Sequence, residues 1–335
     1  FVKVAAGKLE IALDILGDML TASKFEAKEI EREKGVIVEE LNMYEDNPMM
    51  HIEDVLESCL YGDTPAGWDT IGTKKNIRSF RRADFIRYFK RQYGAQSMSI
   101  ILSGAISPRD QAAVKKIFGK IARNPWRDKP AVVESQKNPA LKIVAKKTDQ
   151  VNLALAVRAF PVGHPQEIAL KLLSVILGGS MSSRLFISLR ERSGLAYYVK
   201  TAAEFYSDSG YLSTQAGVPK DKAEAAVAII LEEYRRIAQI EVSAEELARA
   251  KDLVSGRLLM QLEASDEVAS WYGRQAILRP RFSDPEEVEA RLRALTAADI
   301  KKAAALVMKN RNLNLALIGP IKAAEKKRLR QLLQL

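Results

Sequence analysis

Two carboxylates, Glu33 and Glu40, lie seven residues apart in the stretch EIEREKGVIVEELNM, Glu29 to Met43. On an α-helix seven residues make nearly two turns, so both side chains leave the same side, about 10 Å apart along the axis. Ile30, Ile37, Leu41 and Tyr44 form the neighbouring apolar stripe, and Val36 and Met43 lie on the other side. Both acids are therefore expected in a face that is buried, where solvated acids do not normally sit. A buried carboxylate is costly unless it is paired with a cation or bound to a metal. The spacing admits two readings: acids at the edge of the stripe held by Lys or Arg, or ligands offered to a metal ion.

The surrounding elements follow from periodicity and turn signals. In the first half, Phe1 to Ala6 reads as a strand and Leu9 to Leu20 as an amphipathic helix. The acid-bearing helix runs from Glu26 to Glu45 and stops at Asp46-Asn47-Pro48. Helices over 51–60, 74–80, 82–93 and 108–123 and a strand over Ser97 to Leu102 complete this half. Asn124 to Pro139 carries three prolines and no apolar period, and reads as a linker. The second half opens with strands at 142–145 and 151–160, then helices at 166–177 and 182–191 and a strand pair at 195–204 and 210–217. Helices over 221–238, 244–263, 267–276, 285–294 and 297–308, a strand over 312–318 and a last helix from Ile321 follow. Domains over 1–123 and 140–335, joined by 124–139, are expected.

Composition narrows the class. The chain of 335 residues is long enough for two cores, and its 47% hydrophobic and 28% charged residues are those of a globular protein. No apolar run approaches the roughly 18 residues of a membrane span. A single cysteine, Cys59, excludes an internal disulfide framework and a cysteine-built zinc site. The net charge of +10 reads as spread through helices and mixed with acids, densest at Lys322 to Arg330, so nucleic-acid binding is not expected.

The halves resemble each other at an offset of 210 to 217 residues. FVKVAAG resembles YLSTQAG at Tyr211, and EIEREKGVIVEEL resembles ELARAKDLVSGRL at Glu246, with Lys34 over Lys251. Ile77-Arg78-Ser79-Phe80 resembles Leu292-Arg293-Ala294-Leu295, and MSIILSGAI at Met98 resembles LNLALIGPI at Leu313. Such a repeat implies two units of one architecture. In the second copy Glu33 becomes Ala250 and Glu40 becomes Arg257, so the acid pair is not an architectural requirement. No counterpart of Lys142 to Ser209 stands before Phe1, and the first copy is expected to be shortened there.

EREKGVIVEELNMYEDNP resembles the downstream glutamate motif of the M16 (pitrilysin-like) zinc peptidases, in particular the bacterial proteins related to mitochondrial processing peptidase. GGSMSSRLFISLRERSGLAYYV, Gly178 to Val199, resembles the second-domain signature of the same family. The resemblance covers essentially the whole chain. It implies an α+β fold of two homologous domains, each an antiparallel-rich sheet packed against helices, closing like a clamshell on unfolded peptide. It also implies zinc held by an inverted His-x-x-Glu-His motif and a distant glutamate, with an open water position. By the same resemblance Glu40 is the distant zinc ligand and Glu33 the acid that orients the site. Arg190 and Tyr197 would hold substrate and polarise the scissile carbonyl. Read by themselves, Arg190 is a cation at a helix C-terminus and Tyr197 a core aromatic on a strand.

The departure is large. No His-x-x-Glu-His occurs in the chain, whose only histidines are His51 and His164. In the family the pair lies some tens of residues upstream of Glu40, before Phe1 here. The expected function is a zinc metalloendopeptidase, active only with that segment present. The alternative is a non-catalytic subunit that completes a chamber with an active relative. A homodimer or a heterodimer with an M16 relative is expected, and the compartment, cytoplasmic or periplasmic in a bacterium, is left open.

Overall fold

The structure is a computed structural model that describes residues 1–124 and 128–335. The core of the linker reading, residues 125–127, lies outside the described residues. In chain order the helices are α1 (Leu9–Thr21), α2 (Ala27–Asp46), α3 (Pro48–Tyr61), α4 (Lys74–Ser79), α5 (Arg82–Gln92) and α6 (Pro108–Phe118). Strands β1 (Ala140–Ala145) and β2 (Gln150–Ala159) precede α7 (Glu167–Gly178) and a wide π-type turn at Phe186–Arg192. Strands β3 (Tyr198–Phe205) and β4 (Gly210–Pro219) lead to α8 (Ala223–Gln239), α9 (Ala244–Gln261), α10 (Ser265–Leu278), α11 (Pro285–Ala294) and α12 (Ala297–Val307). Strand β5 (Leu313–Gly319) and α13 (Ala323–Leu332) close the chain. The α+β class is borne out.

Two compact units form, and they interleave along the chain. The first contains Phe1–Leu41, Ile71–Lys129 and Leu259–Phe282; the second contains Asn42–Thr70, Pro130–Leu258 and Ser283–Leu335. Helix α3 thus belongs with the second unit and α10 with the first.

The second unit is built on one sheet of order β1-β5-β2-β4-β3. Only the β1–β5 pair is parallel; the other three pairs are antiparallel. Side chains alternate across a strand, and here both faces are covered. Leu153, Leu155 and Val157 of β2, with Leu313, Leu315 and Leu317 of β5, enter the larger core with α7, α8 and α12. Ala154, Ala156, Ala316 and Ile318 point the other way, onto Ile52, Val55, Leu56 and Leu60 of α3. The small alanines let α3 lie close. Glu57 pins the helix further by accepting hydrogen bonds from Tyr206 Oη and, at 3.1 Å, from Tyr211 Oη.

The first unit is helical. Gly17 of α1 lets α6 approach: a Cβ there would stand 2.5 Å from Ile117 Cγ2. Arg82 donates to the carbonyls of Phe25 (2.8 Å) and Lys24 (3.0 Å) and holds the turn between α1 and α2, where Phe25 has φ 47°. The Phe25 ring packs on Phe89, centroids 5.3 Å apart. Lys3 pairs with Asp266 of α10 at 2.5 Å.

Two sequence expectations are corrected in this unit. Phe1 to Ala6 and Ser97 to Leu102 are not strands, so the sheet expected in the first half does not form among the described residues. Met98 keeps extended dihedrals (φ −121°, ψ 141°), but a strand needs a neighbour to take its backbone hydrogen bonds, and none pairs with it among the described residues. The charge is also less evenly spread than expected. Residues 71–129 hold fifteen Lys and Arg against three Asp and Glu, so this stretch carries a large cationic excess, although Lys322 to Arg330 remains the denser cluster.

Similar contacts occur in both units. Lys34 Nζ donates to the Arg78 carbonyl (3.4 Å), and Lys251 Nζ to the Arg293 carbonyl (2.7 Å). The Arg81 N–H donates to Asp84 at the start of α5, and the Thr296 N–H to Asp299 at the start of α12, both at 2.8 Å.

Candidate functional site

Helix α2 carries the acid pair in the first unit. It buries only Ile30 and Leu41. Ile37 and Tyr44 are half-buried, and Val36 and Met43 are exposed. Glu33 and Glu40 lie between a covered flank and an uncovered one, and both are exposed. The expectation that they are set into a buried face is corrected: among the described residues the Val36–Met43 side stays exposed. Neither acid is held by Lys or Arg; Lys34 pairs instead with Glu31 at 2.6 Å. Among the described residues, then, Glu33 and Glu40 are open carboxylates on one helix face.

The segment carrying Arg190 and Tyr197 belongs to the second unit. It leaves α7 at Gly178, where a Cβ would stand 2.3 Å from Thr201 Oγ1 and 2.7 Å from Thr201 N. Only glycine permits α7 to end that close to β3. Leu185 and Leu189, both fully buried, tie the π-type turn into the core. The expected helix over 182–191 is therefore short and wide; such turns recur at functional sites.

Arg190 sits in its last turn, exposed, with its guanidinium carbon 5.1 Å from the Phe186 ring centroid. Gly194, at φ 59°, then reverses the chain, and the Leu195 N–H donates to the Leu189 carbonyl at 2.8 Å. Tyr197 follows, its N–H on the Gly217 carbonyl at 2.9 Å and its side chain 57% exposed. It is not a core aromatic. That place goes to Tyr198, whose ring lies over Gly217 and whose hydroxyl donates to Asn152 Oδ1 at 3.0 Å. Arg190 and Tyr197 thus stand free of the core on a segment anchored at both ends, a cation and a phenol suited to a peptide carbonyl.

Arg184 and its partners in this segment's setting were not singled out from sequence. Arg184 forks onto Glu246 of α9 with two hydrogen bonds of 2.7 Å, and its Nη1 lies 3.9 Å from Glu233 of α8. The Glu246 bond raises the Arg184 pKa further above its ordinary value. Arg257 of α9 donates to the Gly179 carbonyl at 3.1 Å. A lone Arg between Ser183 and the apolar Leu185 was the available signal.

The histidines do not form a metal site. His164 stacks on Phe160 at 3.8 Å, and its Nδ1 accepts from the Gln166 N–H at 3.1 Å. His51 is half-buried on α3, and burial lowers its pKa. Among the described residues no three His, Cys, Asp or Glu come together as a possible metal-binding group. By themselves these residues do not fit a complete zinc site, although Glu40 can supply one donor.

Comparison with known proteins decides the family. Residues 1–74 match the model described as Insulinase (Peptidase family M16), and residues 79–254 match the Peptidase M16 inactive domain. The chain belongs to peptidase family M16. YmxG of Bacillus subtilis, named an uncharacterized zinc protease, is 30% identical over 321 residues, covering 96% of this chain and 78% of YmxG. Rv2782c of Mycobacterium tuberculosis, with the same description, is 27% identical over 324 residues, covering 96% of this chain and 74% of its own length. Among solved structures, a protease from Helicobacter pylori superposes with a TM-score of 0.89 at 19% identity, covering 95% of this chain and 78% of that one. A peptidase M16 inactive domain from Pseudomonas fluorescens gives 0.86 at 21%, covering 95% and 76%.

Proposed function

We propose that this chain forms the larger part of a zinc-dependent metalloendopeptidase that cleaves unfolded peptides. Glu40 supplies one zinc ligand, Glu33 orients the site, and Arg190 and Tyr197 hold the substrate carbonyl. The observation that carries this reading is the state of Glu40. It is exposed and without a partner among the described residues, on a helix where Arg32 pairs with Glu29 and Lys34 with Glu31.

The internal repeat supports it from a second side. The counterpart of Glu40 is Arg257, and Arg257 reaches the carbonyl of Gly179 just past the end of α7. On this correspondence the helix position of Glu40 matches one that meets the C-terminal end of α7. A helix equivalent to α7 in the first unit would end beside Glu40, and a His-x-x-Glu-His pair there would complete a His₂Glu set. The two histidines of this chain do not supply it, so no catalytic step is assigned to these residues alone.

The second reading is a non-catalytic M16 subunit that binds peptide and completes a heterodimeric protease. One observation favours it: residues 79–254 match a domain described as inactive. Zinc analysis and a casein-cleavage assay separate the readings. Stoichiometric zinc and chelator-sensitive cleavage by the protein that carries the histidine segment support the enzyme; zinc-free binding of casein supports the subunit.

A further inference from the structure

We infer that Arg184 is a positioning residue for the peptide-holding segment 186–197; the inference rests on the role proposed above for Arg190. The segment's two proposed substrate-holding groups, Arg190 and Tyr197, are exposed and make no side-chain hydrogen bond or ion pair among the described residues. Arg190 merely lies over Phe186, one turn earlier on the same π-type turn. Its placement depends on where that turn begins, and the turn begins immediately after Arg184 and Leu185.

Leu185 anchors the start by apolar burial, which fixes depth but not rotation. Arg184 fixes rotation. Its planar guanidinium meets both oxygens of Glu246, through Nε at 2.7 Å and Nη2 at 2.7 Å. A two-point fork is directional in a way that a lysine contact is not. The remaining Nη1 faces Glu233, 3.9 Å away on α8. Glu233 is itself buried and also bound by Arg236 at 3.2 Å. Arg184 therefore bridges acids from two helices at the residue before the turn.

Helix α9 holds the other end of the same stretch through Arg257 and the Gly179 carbonyl. Glu246 and Arg257 stand eleven residues apart on one helix, about 16 Å along its axis. One rigid element thus grips residues 179 and 184. Between the grips, Ser183 Oγ donates to the Ser180 carbonyl at 2.5 Å and closes the turn locally. Loss of the Arg184 fork releases the side of the segment that leads directly into Arg190.

The test has two arms on the 335-residue chain. In the first, hydrogen–deuterium exchange is followed by mass spectrometry in Arg184→Ala, Arg184→Lys and the swapped pair R184E/E246R. Exchange over 186–197 is expected to accelerate at least about tenfold in Arg184→Ala relative to α8, less in Arg184→Lys, and to recover in the swapped pair. Unchanged protection over 186–197 in Arg184→Ala, or no recovery in the swapped pair, overturns the inference. If Arg184→Ala does not fold, Arg184→Lys and the swapped pair still decide it.

In the second arm, binding of fluorescein-labelled β-casein, an unfolded polypeptide, is measured by anisotropy for Arg184→Ala, Arg190→Ala and the double variant. Arg184→Ala is expected to weaken binding by about ten- to a hundredfold, the cost of misplacing a binding group by an ångström or so. The double variant should be little worse than Arg190→Ala, because Arg184 acts through Arg190. Additive losses overturn the inference. If Arg190→Ala binds casein as well as wild type, the role proposed for Arg190 fails, and the exchange arm alone decides whether Arg184 positions the segment.

Discussion

Arg257 donates a hydrogen bond to the carbonyl of Gly179 at 3.1 Å, joining α9 to the residue that follows α7. This contact gives the acid at Glu40 a context. On the proposed correspondence of the two halves, Arg257 stands for Glu40 and meets the end of a helix, where free carbonyls gather. A cation suits that end in the second unit. On the reading proposed above, an acid at the equivalent place cannot hold such a carbonyl, since both are acceptors, and would instead face a metal ion.

The glycine beside that contact is a direct test of the close approach. Gly178→Ala would place a methyl group 2.3 Å from Thr201 Oγ1. The neighbour is partly backbone, so it cannot simply rotate away. A loss of about 1–3 kcal/mol is expected by denaturant unfolding, and Gly7→Ala, with open space around it, should cost far less.

Stability should depend on pH through α3. Asp54, half-buried on that helix, is pushed up to about 6 by burial first and then by Asp69, Glu57 and Glu53. An acid with a raised folded pKa lowers stability when it ionises. The deficit is absent below about pH 4, the unfolded value, and complete above about pH 6. Asp54→Asn should therefore stabilise at pH 7, by about 1 kcal/mol once solvent screening of a half-exposed group is allowed for, and should change nothing at pH 4. Urea unfolding at the two pH values reads both.

The recurring lysines should differ in weight. Lys251 donates to two carbonyls, Arg293 at 2.7 Å and Leu295 at 2.5 Å; Lys34 reaches Arg78 only at 3.4 Å. Lys251→Met should cost about 1–3 kcal/mol by leaving those carbonyls short of a donor. Lys34→Met should cost less than half as much. Equal losses would contradict the contact lengths.

Helix α3 is expected to be part of the second unit's fold. Leu56 is fully buried against the sheet, so Leu56→Ala should cost about 2–5 kcal/mol. Exchange protection of β2 and β5 should fall with it. Unaltered protection there would detach α3 from that core.

Much of this architecture is legible from sequence, for identifiable reasons. Helix α11 is read to the residue because Pro285 starts it and the period of Val288 and Leu292 sustains it. Strands β2 and β5 are legible as apolar runs bounded by turns. The strands read at Phe1 to Ala6 and Ser97 to Leu102 fail because their pattern states only a willingness to pair, and pairing depends on a neighbour. The exchange of α3 and α10 between units is invisible, since a helix's apolar stripe does not say which surface will cover it. At the site, the spacing of Glu33 and Glu40 was readable but their exposure was not. It depends on the Val36–Met43 flank being uncovered, a tertiary fact. Arg184 lay within a quoted motif, yet its partners, Glu233 and Glu246, are 49 and 62 residues away.

The zinc content of the protein with and without Glu40 tests the central claim most directly. Zinc would be measured after exhaustive dialysis against a low-zinc buffer, on the 335-residue chain and on the protein that carries a His-x-x-Glu-His segment upstream of it. The account predicts no retained zinc for the chain alone, about one ion per molecule with the segment, and loss of that ion in Glu40→Gln. Stoichiometric zinc on the chain alone, or zinc fully retained in Glu40→Gln, would contradict it.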